Sequence, residues 1–175
     1  MNMTYLVLAY PKLKQADYDW IQNCRKDNDT RYFSIVEPHI TLVFAIDGVK
    51  QDEFVTEVKR QVHGFKPFEF EIKVATINQD ESGEYFHEFL VPDKGYSDIV
   101  KLHDRLYSDE FASSLRYDID FIPHIGIGNS NNAKHSKERI DELNSQDIFI
   151  TGSVEAIDIV SFENGVIATI DKIKF

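Results

Sequence analysis

The sequence predicts an α+β fold, with antiparallel sheets and helices packed outside them. Three observations point to it. Four segments carry apolar residues at helical spacing. The segments between them alternate with period two, and the last two are joined by Asn164-Gly165. The helical and extended segments do not alternate strictly, as parallel βαβ units would require.

The elements follow in chain order. Tyr5–Tyr10 is apolar and reads as a first strand. It is too short to span a membrane and no basic segment precedes it. A helix is expected over Gln15–Lys26, with Ala16, Trp20, Ile21 and Cys24 on its apolar face. A second covers Asp52–His63, with Phe54, Val55, Val58 and Val62 inward and Gly64 placed to end it. From Phe68 to Val74, phenylalanine and aliphatic residues alternate with Glu69, Glu71 and Lys73, which is a strand. Tyr85–Val91 is another. Ser97–Tyr107 is helical through Ile99, Leu102 and Leu106, and Ser136–Asn144 through Ile140 and Leu143. Ile148–Ser161 reads as one long or bent strand, and Val166–Ile173 pairs with its end, because Asn-Gly between two such runs is a strong hairpin signal. Two further strands begin at the histidine motifs described below.

The chain has 175 residues, 42% hydrophobic and 13% aromatic, with thirteen Phe and eight Tyr. That suffices for a packed core and excludes disorder as the main state. No linker divides it, so residues 1–175 are expected to form one domain. Cys24 is the one cysteine. A disulfide within the chain and a cysteine zinc site are excluded, and a cytoplasmic location is expected. Nineteen basic residues against thirty acidic ones leave a net charge of −11. Long nucleic acids and membranes are therefore poor partners, whereas a small nucleotide or an RNA end is admissible.

Two segments share a local pattern. Glu37-Pro38-His39-Ile40-Thr41-Leu42-Val43-Phe44 and Ile122-Pro123-His124-Ile125-Gly126-Ile127-Gly128 both contain Pro-His-Ile, a small residue, then an aliphatic one. Proline is tolerated at a strand start. Simple alternation then puts His39 and Thr41 on one face, with Ile40, Leu42 and Phe44 on the other. It puts His124, Gly126 and Gly128 together, opposite Ile125 and Ile127. One histidine in a strand is ordinarily structural, but two matching copies suggest a site between two halves. A neutral and a protonated imidazole can take a proton from water and give one to a leaving oxygen near neutral pH. A hydroxyl two residues on can hold an oxyanion.

His39-Ile40-Thr41-Leu42 resembles the first H-x-T-x motif of the 2H phosphoesterase superfamily. It is most similar to the 2′-5′ RNA ligase-like and cyclic phosphodiesterase branch. His124-Ile125-Gly126-Ile127 resembles the second motif. The resemblance implies a bilobal fold of two antiparallel sheets around a central cleft, with one motif per lobe. It implies metal-independent opening of a 2′,3′-cyclic phosphate or a related nucleotide or RNA-end diester. His39 would be the proton donor, His124 the proton acceptor, and Thr41 a phosphate-binding hydroxyl, with no cofactor. The departure is Gly126, where the family carries Ser or Thr. A diverged module that binds a nucleotide or RNA end without turnover is the alternative.

The other histidines have plainer readings. His103 continues the apolar stripe of its helix and is expected to be packed. His63 sits in a last helical turn, and His135 in a polar stretch. His87 shares a face with Tyr85 and Phe89, which lines either the cleft or the core. Two histidines are fewer than the three or four protein ligands of a zinc site. Neither motif has H-x-x-E or H-E-x-x-H spacing, and G-x-S-x-G is absent.

Overall fold

The computed structural model describes residues 3–175; the first two residues of the expected 1–175 unit lie outside the described residues. The elements run β1 (Thr4–Ala9), β2 (Lys12–Leu13), α1 (Gln15–Asn28), β3 (Ile40–Ile46), α2 (Gln51–Val62), β4 (Phe68–Gln79), β5 (Phe86–Lys94) and α3 (Tyr96–Leu106). A 3₁₀ turn (Asp109–Ser114) follows, then β6 (Ile125–Ser130), α4 (Ala133–Asn144), β7 (Ile150–Val154), β8 (Ala156–Glu163) and β9 (Val166–Lys174). They form two antiparallel sheets, of order β3-β1-β8-β9 and β2-β7-β4-β5-β6. The α+β class is as expected.

The four helices appear where periodicity puts them, with α4 starting three residues early. There Asn132 caps the helix by accepting from the His135 backbone at 3.2 Å. The Asn164-Gly165 hairpin is a two-residue turn with φ of 52° and 77°, flanked by the pair Glu163 and Val166. The stretch Ile148–Ser161 is corrected. It is two strands, not one: β7 pairs with β4 and β8 pairs with β1, so the chain changes sheets at Glu155. No glycine or proline marks that crossing: Glu155 alone separates the two strands, and the pairing partner changes across it.

A continuous hydrophobic core takes one face from each sheet and the inner faces of the helices. Val7, Leu42 and Ile159 from the first sheet, Phe70, Leu90 and Ile127 from the second, and Phe54, Leu102 and Ile140 from the helices all belong to it. The helices also close strand edges. β3 is an edge strand, and α3 satisfies its outward polar groups: the Leu42 carbonyl accepts from His103 Nδ1 at 2.8 Å, and the Tyr107 hydroxyl accepts from the Phe44 N–H at 2.9 Å. On β4 beyond the end of β7, the Asn144 side chain pairs with both backbone groups of Ala75 at 2.8 Å. An unpaired edge is thereby covered by a helix rather than left as a template for aggregation.

Two register shifts correct the expected faces. On β3, Thr41 pairs with Leu8 and Val43 with Val7, so Leu42 is an extra residue. Val43 turns into the core and Phe44 turns away from it. On β6, Gly126 pairs with Phe89 and Gly128 with Glu88, so Ile127 is the extra residue. Gly126 and Gly128 therefore lie on opposite faces, because a bulge breaks the period of two.

The two glycines have different reasons to lack a side chain. A Cβ on Gly128 would lie 2.5 Å from Glu88 Oε2 and 3.1 Å from Arg139 Nη1, inside a buried ion pair that closes at 2.8 Å. A Cβ on Gly126 meets nothing within 4 Å. Gly128→Ala is expected to lower stability by ~1–3 kcal/mol through overpacking. Gly126→Ala should leave it unchanged or raise it by up to ~1 kcal/mol, as removal of a strand glycine allows. Denaturant midpoints of the two variants check this, and equal midpoints would refute the facing assignment.

Candidate active site

Both histidines stand one residue before an edge strand, His39 before β3 and His124 before β6. Each ring is fixed by the same local device. His39 Nδ1 lies 2.8 Å from the Glu37 carbonyl, and His124 Nδ1 lies 2.5 Å from the Ile122 carbonyl. A carbonyl only accepts, so each Nδ1 carries the hydrogen and each Nε2 is left for chemistry. The proline between carbonyl and histidine explains the sequence. It holds the preceding residue in the extended region, which aims that residue's carbonyl back at the ring.

Pairing places the other motif residues. Thr41 sits opposite Leu8 and Gly126 opposite Phe89. In an antiparallel pair, opposed residues share a face. Tyr10, two residues past Leu8, has its ring centroid 6.2 Å from that of His39. The Phe89 ring stacks on His124 at 3.5 Å, and His87 stacks parallel to Phe89 at 5.9 Å. His87, half-buried, thus continues the row of rings beside His124. Tyr10 was not singled out by the sequence, and Phe89 was named only as sharing the face of His87. The alternation Leu6, Leu8, Tyr10 in the first strand was the available signal for Tyr10.

Electrostatics couple the two rings. Burial pushes the His124 imidazole down to about 4, against a backbone hydrogen bond that raises it, with the positive forms of His39 and His87 lowering it further. Burial also lowers the pKa of His39, opposed by its bond to the Glu37 carbonyl. Arg25 adds to the lowering and Asp29 opposes it. Burial lowers the pKa of His87 as well. Without an anion present, the site favours neutral imidazoles.

Arg25 and Asp29 belong to a buried polar cluster at the end of α1. Arg25 Nε and Nη2 each lie 3.1 Å from Asp29 Oδ2, and Nη2 also donates to the Val36 carbonyl at 2.7 Å and the Tyr32 carbonyl at 3.2 Å. Asp29 Oδ1 accepts from the Tyr32 backbone at 2.9 Å and from Asn129 Nδ2 at 2.7 Å. Thr30 donates to Asn129 Oδ1 at 2.9 Å. Asn129 is on β6, the strand that follows His124, and Val36 lies three residues before His39. One cluster thus ties both motifs to α1. It also corrects the expected face of that helix: Ala16 is exposed, Trp20 and Cys24 are half-buried, and Ile21 and Arg25 are the buried positions.

The remaining histidines have structural places. His103 is buried and stacks on Phe121 at 3.5 Å. His63 ends α2, where its carbonyl accepts from Arg105 at 2.7 Å. His135 is exposed. Among the described residues, no three His, Cys, Asp or Glu side chains gather as a metal site needs, and no helix is long and apolar enough to cross a membrane.

Comparison with known proteins bears on this arrangement. No curated protein matches the chain. Solved structures share its fold. The structure of E. coli LigT complexed with 3′-AMP is 13% identical, with a TM-score of 0.63, covering 100% of this chain and 99% of that one. Usb1 of Kluyveromyces marxianus is 10% identical, with a TM-score of 0.61, covering 99% of this chain and 98% of that one. The same Usb1 with uridine monophosphate is 8% identical, with a TM-score of 0.56 and 99% of both chains covered. Identities this low speak for the fold alone. The sequence profile of the 2′-5′ RNA ligase superfamily matches residues 11–166, a span that includes both Pro-His-Ile motifs. The chain belongs to the 2′-5′ RNA ligase superfamily of 2H phosphoesterases.

Proposed function

We propose that the chain is a metal-independent phosphodiesterase that opens a 2′,3′-cyclic phosphate, or a related nucleotide or RNA-end diester, by two-histidine acid–base catalysis. The observation that carries the reading is the matched pair of rings. Two histidines from two sheets are fixed through Nδ1 in the same way and present Nε2. In this reading His124 Nε2 takes a proton from water as the water attacks phosphorus. His39 Nε2–H gives a proton to the departing sugar oxygen, and the Thr41 hydroxyl holds a non-bridging oxygen. LigT and Usb1 structures hold 3′-AMP and uridine monophosphate, which supports a small nucleotide or RNA end as the ligand class. A site inside the cell's cytoplasm fits such a substrate.

His39→Ala and His124→Ala are each expected to cut turnover of a nucleoside 2′,3′-cyclic phosphate by ~10²–10⁴, the worth of a positioned acid or base. Wild-type turnover should survive EDTA. Full activity in either variant, or loss with chelator, rejects the mechanism. Binding of the nucleotide without turnover in the wild type selects the non-catalytic module instead, for which the missing hydroxyl at Gly126 is the supporting feature.

The pH dependence has a fixed sign. Catalysis needs neutral His124, which holds above about pH 4. It also needs protonated His39, which holds below a pKa that burial has lowered from the ordinary 6.5. The kcat/KM profile should therefore peak on the acid side of 6.5 and fall towards neutrality. A bound phosphate anion favours the imidazolium, so the basic limb of kcat should lie at higher pH than that of kcat/KM. Profiles measured from pH 3 to 9 check both statements. A kcat/KM that rises through pH 7 to a plateau contradicts the assignment.

Gly126 gives a third test. Its face is open and is not shared with Gly128, so a hydroxyl fits there. Gly126→Ser is expected to raise turnover, by up to the ~10²–10³ that one oxyanion donor supplies, while Gly126→Ala does not. Equal losses in both variants would mean that the substrate itself occupies the space.

A further inference from the structure

Glu88 of β5 has no exposed surface, and its Oε2 lies 2.8 Å from Arg139 Nη1 on α4. A buried ion pair of this kind adds little net stability compared with apolar side chains of similar volume. Its consequence for the neighbouring strand is steric. Opposed residues of an antiparallel pair share a face, so the residue opposite Glu88 meets the ion pair directly. A Cβ there would lie 2.5 Å from Glu88 Oε2 and 3.1 Å from Arg139 Nη1, and only glycine fits. Of the 6 residues of β6, Gly126 and Gly128 alone qualify. Gly126 already opposes Phe89, and unbroken pairing would bring Ile127 opposite Glu88. Instead Ile127 is the extra residue, its side chain joins the core, and Gly128 takes the place. The shift carries on along the strand. Asn129 opposes His87, where unbroken pairing would put it opposite Phe86, on the other face of the sheet. On the His87 face it donates from Nδ2 to Asp29 Oδ1 at 2.7 Å and accepts from Thr30 at 2.9 Å.

We propose that Glu88 and Arg139 are positioning residues of the candidate site. By admitting only glycine opposite Glu88, the pair forces the bulge at Ile127, turns Asn129 towards Asp29 and so fixes the His39 segment against the His124 strand. The effect on turnover rests on the two-histidine phosphodiesterase reading; the effect on register does not. Glu88 stands between His87 and Phe89 in the strand, so it points to the opposite face from theirs, towards α4. The pair therefore acts on the site from behind the sheet. Arg139 holds Glu88, the two together set the place of Gly128, and the next residue reaches the connection that ends at His39. Burial of Ile127 is the rival cause of the bulge, and removal of the ion pair separates the two.

Glu88→Ala with Arg139→Leu removes the pair without leaving a buried charge and opens the space opposite residue 88. Cross-strand nuclear Overhauser contacts then read the register. The wild type is expected to show His87 with Asn129. The double variant is expected to show residue 88 with Ile127, and Phe86 with Asn129. Its turnover of a nucleoside 2′,3′-cyclic phosphate should fall by ~10², the cost of a small misplacement of reacting groups. Asn129→Ala, which leaves the ion pair and the bulge in place, should lower turnover by a similar factor. Joining it to the double variant should cost nothing more, because both changes break the same link. Arg139→Lys, which keeps a cation at the carboxylate, should keep the wild-type register and turnover. Wild-type contacts in the double variant overturn the proposal, since burial of Ile127 then sets the bulge. So does full turnover in Asn129→Ala, or a loss that adds to that of the double variant. Glu88→Ala with Arg139→Gln gives the same comparison if the first double variant does not fold. If the wild type turns over no cyclic phosphate, the phosphodiesterase reading fails alone, and the cross-strand contacts still decide the register.

Discussion

A guanidinium gives up several kcal/mol of hydration when it is buried, and Arg25 keeps 2% of its surface exposed. What replaces the water is specific. The Asp29 carboxylate and the carbonyls of Tyr32 and Val36 surround the head group, and Gln22 accepts at 3.0 Å. Apart from Gln22 on α1, each partner sits at a defined point on the connection between α1 and β3. The connection can satisfy the guanidinium in only a narrow set of conformations, and those conformations deliver Pro38 and His39 to the start of β3. The second oxygen of Asp29 reaches across to Asn129 on β6. An ion pair of this kind adds little net stability compared with an apolar replacement. Its consequence here is register: it sets where the His39 segment lies relative to the His124 strand.

The same economy appears in each half of the site. Both motifs begin an edge strand, both use a proline to aim a carbonyl at Nδ1, and both strands carry an extra residue three positions after the histidine, Leu42 and Ile127. A bulge raises the local twist and lets the strand leave the site face at once. The residue two past each histidine therefore faces the site, while the residues beyond return to core or helix. On β6 that return creates the space for the Glu88–Arg139 pair under Gly128. On β3 it sends Val43 into the core. Edge strands offer a free side for such distortion, and the helix side chains that close them, His103 and Tyr107 on β3, keep the distorted strand in place.

Much of this was legible in the sequence. The helices announce themselves because their apolar positions recur at helical spacing. The histidine motifs do so because two copies of Pro-His-Ile are a local pattern that needs no tertiary information. Thr41 and Gly126 were placed correctly because they precede the bulges. Phe44 and Gly128 were not, because a bulge is decided by pairing with β1 and β5 and leaves no mark on the strand that carries it. Arg25 was invisible for another reason. Periodicity counts arginine as a solvent residue, and the partners that make its burial tolerable are carbonyls, which carry no sequence signature. The sheet change at Glu155 was hidden similarly, since a single residue separates the two strands.

The electrostatics of the site follow from these placements. Burial lowers the affinity of both imidazoles for a proton, and the positive form of His39 lowers that of His124 further. An empty site therefore resists the charge that an acid catalyst must carry. In the proposed reaction a phosphodiester would bring one negative charge to the rings and favour protonation of one of them. On that proposal the substrate would help to set the protonation state that its own reaction needs. The nearby Arg25 and Asp29 act on His39 with opposite signs, Arg25 lowering its pKa and Asp29 raising it. The pair fixes the backbone that carries His39, while burial, more than either charge, sets the proton affinity of the ring.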